Sequence, residues 1–205
     1  MTRLNNIYTG LPSSFRPTNK PYCLVKDRTF EVLDGHLGWY PKILYRFIDQ
    51  LDAMLSHCRC VMVVRMDLHM GGYTDANKVM AIFRRRLLKK LKSKYVDLKL
   101  GYLWVREVER AKTQHYHVAL MVDKDLIHYS YQITQAVVDV WKNMTNIQPH
   151  IPKHCYYTVK CGALDTYAEL IKRISYLAKK RGKGYRASQA KDFGSSRITA
   201  KLSIN

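Results

Sequence analysis

Two β-rich segments lie only five residues apart in the second half of this chain. They are KLGYLWVREV (99–108) and QHYHVALMV (114–122), and the link between them, ERAKT, is short and polar. Two strands joined in this way form a β-hairpin. The hairpin restricts the chain to folds that contain antiparallel strand pairs, and it brings the ends of both segments close to the link.

The remaining pattern surrounds this hairpin with helices and two more strands. Apolar residues at helical spacing predict helices that begin at Pro41 and at Thr74, the second with Thr74 as its N-cap, and helices over 131–144 and 163–180. Strands are predicted over 60–68 and 155–160. This order predicts an α+β fold, with an antiparallel sheet of about four to five strands packed with helices on one or both faces.

The chain divides into an arm and one domain. Residues 1–38 contain three prolines among Asn, Ser and Thr, which predicts an irregular N-terminal arm. Residues 39–205 are of the length expected for a single domain, and they end in a Gly- and Lys-rich tail, predicted as loop, from Arg181 onward. A hydrophobic fraction of 47% excludes global disorder.

The charge points to a polyanionic partner. Lys and Arg total 35 against 16 Asp and Glu, a formal net charge of +19, and nucleic acid is the expected partner. The end of the second predicted helix, RRRLLKKLKSK (84–94), holds seven of these cations. Some of them match the helix dipole. The excess predicts either a solvated face or a surface that contacts phosphates through Arg84, Arg85 and Arg86.

The cysteines and the apolar segments indicate in which cellular compartment the protein is expected. The five cysteines form no CxxC pair, which argues against a disulfide framework and a structural zinc site and favours a reducing cytoplasm. The N-terminus lacks the apolar stretch of a signal peptide, and no run approaches the length that spans a bilayer, so no membrane association is expected.

The second strand of the hairpin carries a candidate metal site. His115 and His117 point to the same face of a strand, and Glu107 falls beside His115 in the simplest hairpin register. Two imidazoles and one carboxylate form a three-ligand site with open positions, suited to Mg²⁺ or Mn²⁺. Two alternatives remain open: Glu109 at the turn is a competing carboxylate, and paired histidines are often ordinary core or rim residues.

The last predicted helix carries a candidate nucleophile. Tyr176 lies opposite the middle of the apolar stripe of this helix. Its neighbours at helical spacing are cations: Lys172, Arg173, Lys179 and Lys180. Such cations favour the phenolate and would hold a phosphate beside it, although an ordinary surface tyrosine is the alternative.

These residues resemble a known motif set. EVERAKTQHYH (107–117) looks like the HUH motif of rolling-circle replication initiators, and YLAK (176–179) looks like their tyrosine motif. VVRMDL (63–68) stands where their first motif belongs. Inovirus-type replication proteins of filamentous phages and prophages are the most similar, with FGSSR (193–197) as a further likeness. The resemblance covers about residues 60–200, and it departs in AKTQ, where the family has a Gly/Pro-rich turn.

The resemblance implies a fold, a reaction and partners. The fold would be an HUH endonuclease domain, which is RRM-like. A divalent ion, Mg²⁺ or Mn²⁺, held by His115, His117 and Glu107 would polarise the scissile phosphate of single-stranded DNA at a replication origin. Tyr176 would attack and form a covalent 5′-phosphotyrosine, with Lys179 steadying the phenolate or the phosphate, and the freed 3′-OH would prime a polymerase. A host helicase would unwind the duplex, in the cytoplasm of a bacterial host.

Further residues are assigned supporting roles. Strand parity makes Asp67 and His69 candidates for the shell around the metal ligands. The cations expected to contact nucleic acid are Arg84, Arg85, Arg86, Lys172, Arg173, Lys180 and Arg181.

Three rival functions stay open from the sequence. One is a single-tyrosine HUH transposase, which shares the chemistry but needs paired hairpin ends. Another is a nucleic-acid-binding module on the same fold without turnover, which has no need of a complete Glu-His-His-Tyr set. A two-His-one-carboxylate iron oxygenase has a similar triad, but the charge of +19 has no role in it.

Overall fold

The structure, a computed structural model, describes residues 21–25, 28–33, 37–108 and 113–201. Within those ranges the chain forms four α-helices, a five-stranded sheet and a separate two-stranded sheet. The strands are β1 (Tyr22–Val25), β2 (Arg28–Glu31), β3 (Cys60–His69), β4 (Gly101–Glu107), β5 (His115–Asp123), β6 (Tyr156–Lys160) and β7 (Phe193–Ser195). The helices are α1 (Pro41–Leu55), α2 (Lys78–Lys92), α3 (Ser130–Thr145) and α4 (Leu164–Ala178).

The main sheet is antiparallel throughout, with strand order β6-β3-β5-β4-β7. Helices cover both faces, and each face has its own hydrophobic core. Val61 and Val63 of β3 join the core that α1 and α4 cover, whereas Met62 and Val64 join the core that α2 and α3 cover. Because both faces of β3 are packed, nine of its ten residues are buried. This arrangement confirms the predicted α+β class and fits an HUH-type, RRM-like domain.

The predicted hairpin is confirmed as the β4–β5 pair. Glu107 lies directly opposite His115, and Val105 lies opposite His117. The turn residues 109–112, which include the competing carboxylate Glu109, lie outside the described residues. The register that the simplest hairpin predicts is therefore the register of the structure.

The predicted start of the second helix is wrong. α2 begins at Lys78, with Asn77 as its N-cap, rather than at Thr74. Thr74 instead receives a hydrogen bond from the side chain of Gln114, and its own backbone N–H donates to that side chain at 3.0 Å. Tertiary contacts with the loop before β5 outweigh the local capping preference of this threonine.

Two segments predicted as irregular contain strands. Residues 22–31, inside the predicted N-terminal arm, form the antiparallel pair β1–β2, whose inward side chains Cys23, Val25 and Phe30 join the core beside α4. Within the predicted C-terminal loop, β7 pairs with β4 at the edge of the main sheet. None of the described helices is long and apolar enough to cross a lipid bilayer.

Candidate metal and tyrosine site

The three candidate metal ligands meet at one end of the sheet, on the face that α1 and α4 cover. Glu107 is the last residue of β4, His115 is the first residue of β5, and His117 is two residues further along. Alternation along β5 directs both histidines to the face of Ala119 and Met121, which belong to the same core as α4. The hairpin thus brings together two imidazoles and a carboxylate that lie eight to ten residues apart in sequence.

Their geometry fits a divalent cation. The Nε2 atoms of His115 and His117 lie 3.2 and 3.0 Å from Oε2 of Glu107, and the three ligand atoms all lie within 4.8 Å of one another. Donors held about 2.1 Å from one ion at right angles are about 3.0 Å apart, which matches the spacing of each imidazole nitrogen from the carboxylate oxygen. The Glu107 side chain is 1% exposed and that of His115 is 13% exposed, so the group opens to solvent on the His115 side.

Asp67 of β3 orients the His117 ring through Nδ1, the ring nitrogen that does not contact Glu107. Its carboxylate accepts a hydrogen bond from Nδ1 of His117 at 2.5 Å, and Nδ1 of His150 lies 3.3 Å from its other oxygen. Burial opposes ionisation of Asp67, but the hydrogen bond from His117 and the charge of Arg65 lower its pKa to about 2. A carboxylate on the far nitrogen of a ligating histidine fixes the tautomer and leaves Nε2 for the metal.

The second residue predicted for this shell, His69, also reaches the site. Its ring stacks on that of His115 with centroids 5.5 Å apart. His69 lies opposite His115 on β3, and Asp67 lies opposite His117, so strand register alone places both predicted residues.

Two lysines near Glu107 form the cationic side of the site. Nζ of Lys183, a fully buried side chain, donates to Oε1 of Glu107 at 2.9 Å, and Nζ of Lys179 lies 3.6 Å from Oε2. Burial disfavours the carboxylate, but the hydrogen bonds from His115 and His117 and the charge of Lys183 outweigh it and hold the pKa of Glu107 well below its usual range. Burial in turn lowers the pKa of Lys183, partly offset by Glu107.

Tyr176 lies at the mouth of this group. Its ring packs edge-on against His117 with centroids 5.8 Å apart, and Arg65 lies over the ring at 4.9 Å. Nζ of Lys179 donates to the Tyr176 hydroxyl at 2.8 Å. The ring is 36% exposed, so Tyr176 faces both solvent and the histidines.

The end of α4 gives Tyr176 this position. Its neighbours Ile174, Leu177 and Ala178 are buried in the core, which anchors the last turn and leaves Tyr176 at the boundary. The carbonyl of Ala178 accepts a backbone hydrogen bond from Tyr40 at 2.8 Å, and Lys179 forms an isolated bridge with Trp39. The segment before α1 therefore holds the end of α4 against the site.

The cations predicted to contact nucleic acid are not gathered around this site. Arg84 on α2 donates to the hydroxyl of Tyr102 and lies over its ring, on the opposite face of the sheet from the histidines. Arg85 and Arg86 are exposed on the same helix. On α4, Lys172 is paired with Glu31 at 2.7 Å, and Arg173 is half-buried.

Lys180 and Arg181 follow Lys179 in sequence, and both are exposed.

Two cations of the site, Lys183 and Arg65, are not indicated by the sequence motifs. The signal that could have indicated Lys183 is the GKG triplet, since Gly182 and Gly184 both adopt positive φ around it.

Comparison with known proteins gives one match. The family model of the YagK/YfjJ C-terminal domain matches residues 27–196, a span that holds every described helix and strand except β1 and all residues of the site. Neither the curated proteins nor the solved structures contain a match to this chain. The Glu-His-His group fits an HUH motif and could bind a divalent metal. On the extent of the family match, the chain belongs to the YagK/YfjJ C-terminal domain family.

Proposed function

We propose that this protein is a metal-dependent endonuclease and ligase that nicks single-stranded DNA through a covalent 5′-phosphotyrosine. One observation carries the proposal: Lys179 joins Tyr176 to Glu107. Its Nζ lies 2.8 Å from the tyrosyl oxygen and 3.6 Å from the carboxylate of the Glu-His-His group. A candidate nucleophile, a cation and a candidate metal site thus share one small volume, as phosphoryl transfer requires.

Tyr176, Lys179 and Arg65 have different roles in the proposed cleavage reaction. The Tyr176 oxygen attacks phosphorus while its proton leaves to solvent, so that an O–P bond forms to tyrosine and the P–O3′ bond breaks. The departing 3′ oxygen takes up a proton. Lys179 stabilises the phenolate as it forms, and Arg65 lies over the Tyr176 ring at 4.9 Å. Glu107, His115 and His117 would hold a divalent ion, which would supply Lewis-acid stabilisation of the charge on the phosphate.

The covalent bond conserves the energy of the phosphodiester, so the same site rejoins ends when a 3′-OH attacks the phosphotyrosine. The net charge of +19 supports a nucleic-acid substrate over a small molecule, which weighs against an oxygenase built on the same triad. The resemblance to HUH initiators supports the finer proposal that the nick is made at an origin and starts rolling-circle replication. A host helicase and polymerase in the bacterial cytoplasm would then extend the released end.

The test is a covalent-adduct assay on denaturing gels. A pool of 5′- and 3′-labelled single-stranded oligonucleotides tiling the DNA that flanks the gene is incubated with the protein and Mn²⁺ or EDTA. We expect a labelled adduct with Mn²⁺ only, lost in Tyr176→Phe and retained in Tyr131→Phe. Tyr131 is a suitable matched control because it is 65% exposed and lies on α3, across the sheet from the site.

Three results would contradict the proposal. An adduct formed equally by Tyr176→Phe would show that another residue is the nucleophile. Binding of the oligonucleotides without any adduct would favour a non-catalytic module. An adduct formed only on paired hairpin ends would favour a transposase.

A further inference from the structure

A large groove lies along the β7 edge of the sheet, and Tyr176 is not among the residues that line it. It has a volume of about 1500 Å³ and follows β4 and β7 between α1 and α2. The wall beyond β7 is fixed to α1, because the side chain of Gln50 accepts a hydrogen bond from Ser196 at 2.6 Å and another from the backbone of Ile198 at 2.9 Å. The groove is therefore a built feature of the fold.

The lining of this groove is strongly cationic. Six basic side chains line it against a single carboxylate, Asp192, and that carboxylate is already paired with Arg186 at 2.8 Å. The six are Lys42, Arg46, Arg84, Arg186, Lys191 and Arg197. Lys42 and Arg46 lie one helical turn apart on α1 and are exposed, as are Lys191 and Arg197 on either side of β7. Arg46 lies 3.9 Å from Asp49 in an exposed pair, and Lys42, Lys191 and Arg197 add three further accessible cations along the groove, which suits a chain of phosphates.

The floor of the groove is apolar and partly aromatic. It includes Leu100 and Tyr102 near the start of β4, both half-buried, and Arg84 lies over the ring of Tyr102 at 4.7 Å. β7 has only three residues and is the last strand in the sheet order of the described residues. Aromatic and arginine side chains beside a cationic wall are features with which proteins bind single-stranded nucleic acid without reading its sequence.

The charge of the lining, six cations against one carboxylate, is complementary to a polyanion.

The groove is close to the candidate site along the chain. Lys183 contacts Glu107, and Arg186, three residues later, lines the groove. Three residues span at most about 11 Å, so one strand of nucleic acid could occupy both.

We propose that this groove binds single-stranded DNA, with Lys42, Arg46, Lys191 and Arg197 contacting its phosphates. The identity of the bound strand as DNA rests on the proposed nicking function; the groove itself extends the substrate contact well beyond the scissile phosphate.

The experiment measures binding without cleavage. Fluorescence anisotropy of labelled (dT)20 is recorded in EDTA, in a Tyr176→Phe background, from 50 to 300 mM NaCl. The test variant is Lys42→Gln/Arg46→Gln. The control, Lys142→Gln/Lys160→Gln, removes the same charge from α3 and from β6 at the opposite edge of the sheet.

Each phosphate contact to a single strand contributes about 0.7 to the slope of log K against log salt. The groove variant should therefore lose about 1.4 from the slope, which corresponds to about 25-fold weaker binding at 0.1 M salt. The control should stay within about twofold of the parent. A groove variant that binds like the control overturns the inference, whether both retain affinity or both lose it equally.

The outcome is separable from that of the nicking assay. Groove-dependent binding in a protein that forms no adduct would retain the groove and refute the endonuclease. Adduct formation by a protein whose DNA binding does not depend on the groove would retain the endonuclease and refute the groove. Tighter binding of a matched duplex than of (dT)20 would overturn the assignment to a single strand.

Discussion

Replacing Lys183 by Met tests the electrostatics of the site directly. The Lys183 side chain is 0% exposed and its partner Glu107 is 1% exposed, so the substitution leaves a buried carboxylate without its nearest cation. Removing one partner of a buried ion pair costs about 3–5 kcal/mol. Lys179, at 3.6 Å, still compensates in part, so we expect a loss near the lower end, about 3 kcal/mol.

The assay is thermal and urea unfolding in EDTA and in saturating Mn²⁺. For a chain of this size, about 3 kcal/mol corresponds to a fall in Tm of roughly 6–12 °C in EDTA. Mn²⁺ supplies positive charge to the same carboxylate, so we expect it to recover at least half of the loss. Mn²⁺ can recover stability in the variant relative to the parent only by binding the variant more tightly. Each 1.4 kcal/mol recovered therefore corresponds to about tenfold tighter Mn²⁺ binding by the variant.

Lys179→Met is the matched control. Lys179 is 18% exposed and lies farther from the carboxylate, so its removal should cost under about 1 kcal/mol. Two results would refute this reasoning. One is that Lys183→Met is as stable as the parent in EDTA, and the other is that Mn²⁺ stabilises Lys183→Met and the parent equally. Either result would mean that Lys183 does not neutralise Glu107.

Two further substitutions test the site and the sheet edge. Asp67→Asn replaces the charged acceptor that orients His117 by a neutral amide, so calorimetry should show Mn²⁺ binding about 10–100-fold weaker, with an unchanged circular dichroism spectrum. Gly194→Ala would place a methyl group 2.6 Å from the Trp104 ring, and urea unfolding should show a loss of about 1–3 kcal/mol. Gly72→Ala, where nothing lies within 4 Å of the new methyl group, should change stability by less than about 0.5 kcal/mol. Equal losses in the two alanine variants would contradict the close approach.

The parts of the fold that depend on local sequence pattern could be predicted from the sequence. The β4–β5 hairpin follows from two β-rich segments and a five-residue link, and strand parity then places Glu107 beside His115. The same alternation places Asp67 and His69 near the histidines. Short sequence distance suffices for the hairpin, whereas for Asp67 and His69 the period of two gives only the face, and the long-range pairing of β3 with β5 brings them to the histidines.

The missed strands depend on partners that are distant in sequence. β7 has three residues, one of them Gly194, and it is a strand only because the edge of β4 accepts it about ninety residues after β4 itself. β1 and β2 are four residues each, and their inward side chains are buried by α4. Segments this short carry too little periodic pattern to be distinguished from loop.

The positions of the cations in the site also do not follow from local sequence, and these cations bear directly on the proposed chemistry. Arg65 lies within an apolar strand, and Lys183 within a Gly- and Lys-rich tail, so each has the sequence context of a different kind of residue. The fold places both, together with Lys179, around the two carboxylates Asp67 and Glu107. Three cations against two carboxylates leave the pocket slightly positive before any divalent ion binds, so most of the ion's charge would remain available to a bound phosphodiester. That charge balance is suited to a phosphate substrate and is not required for a purely structural metal site, so it agrees with the phosphoryl transfer that we propose.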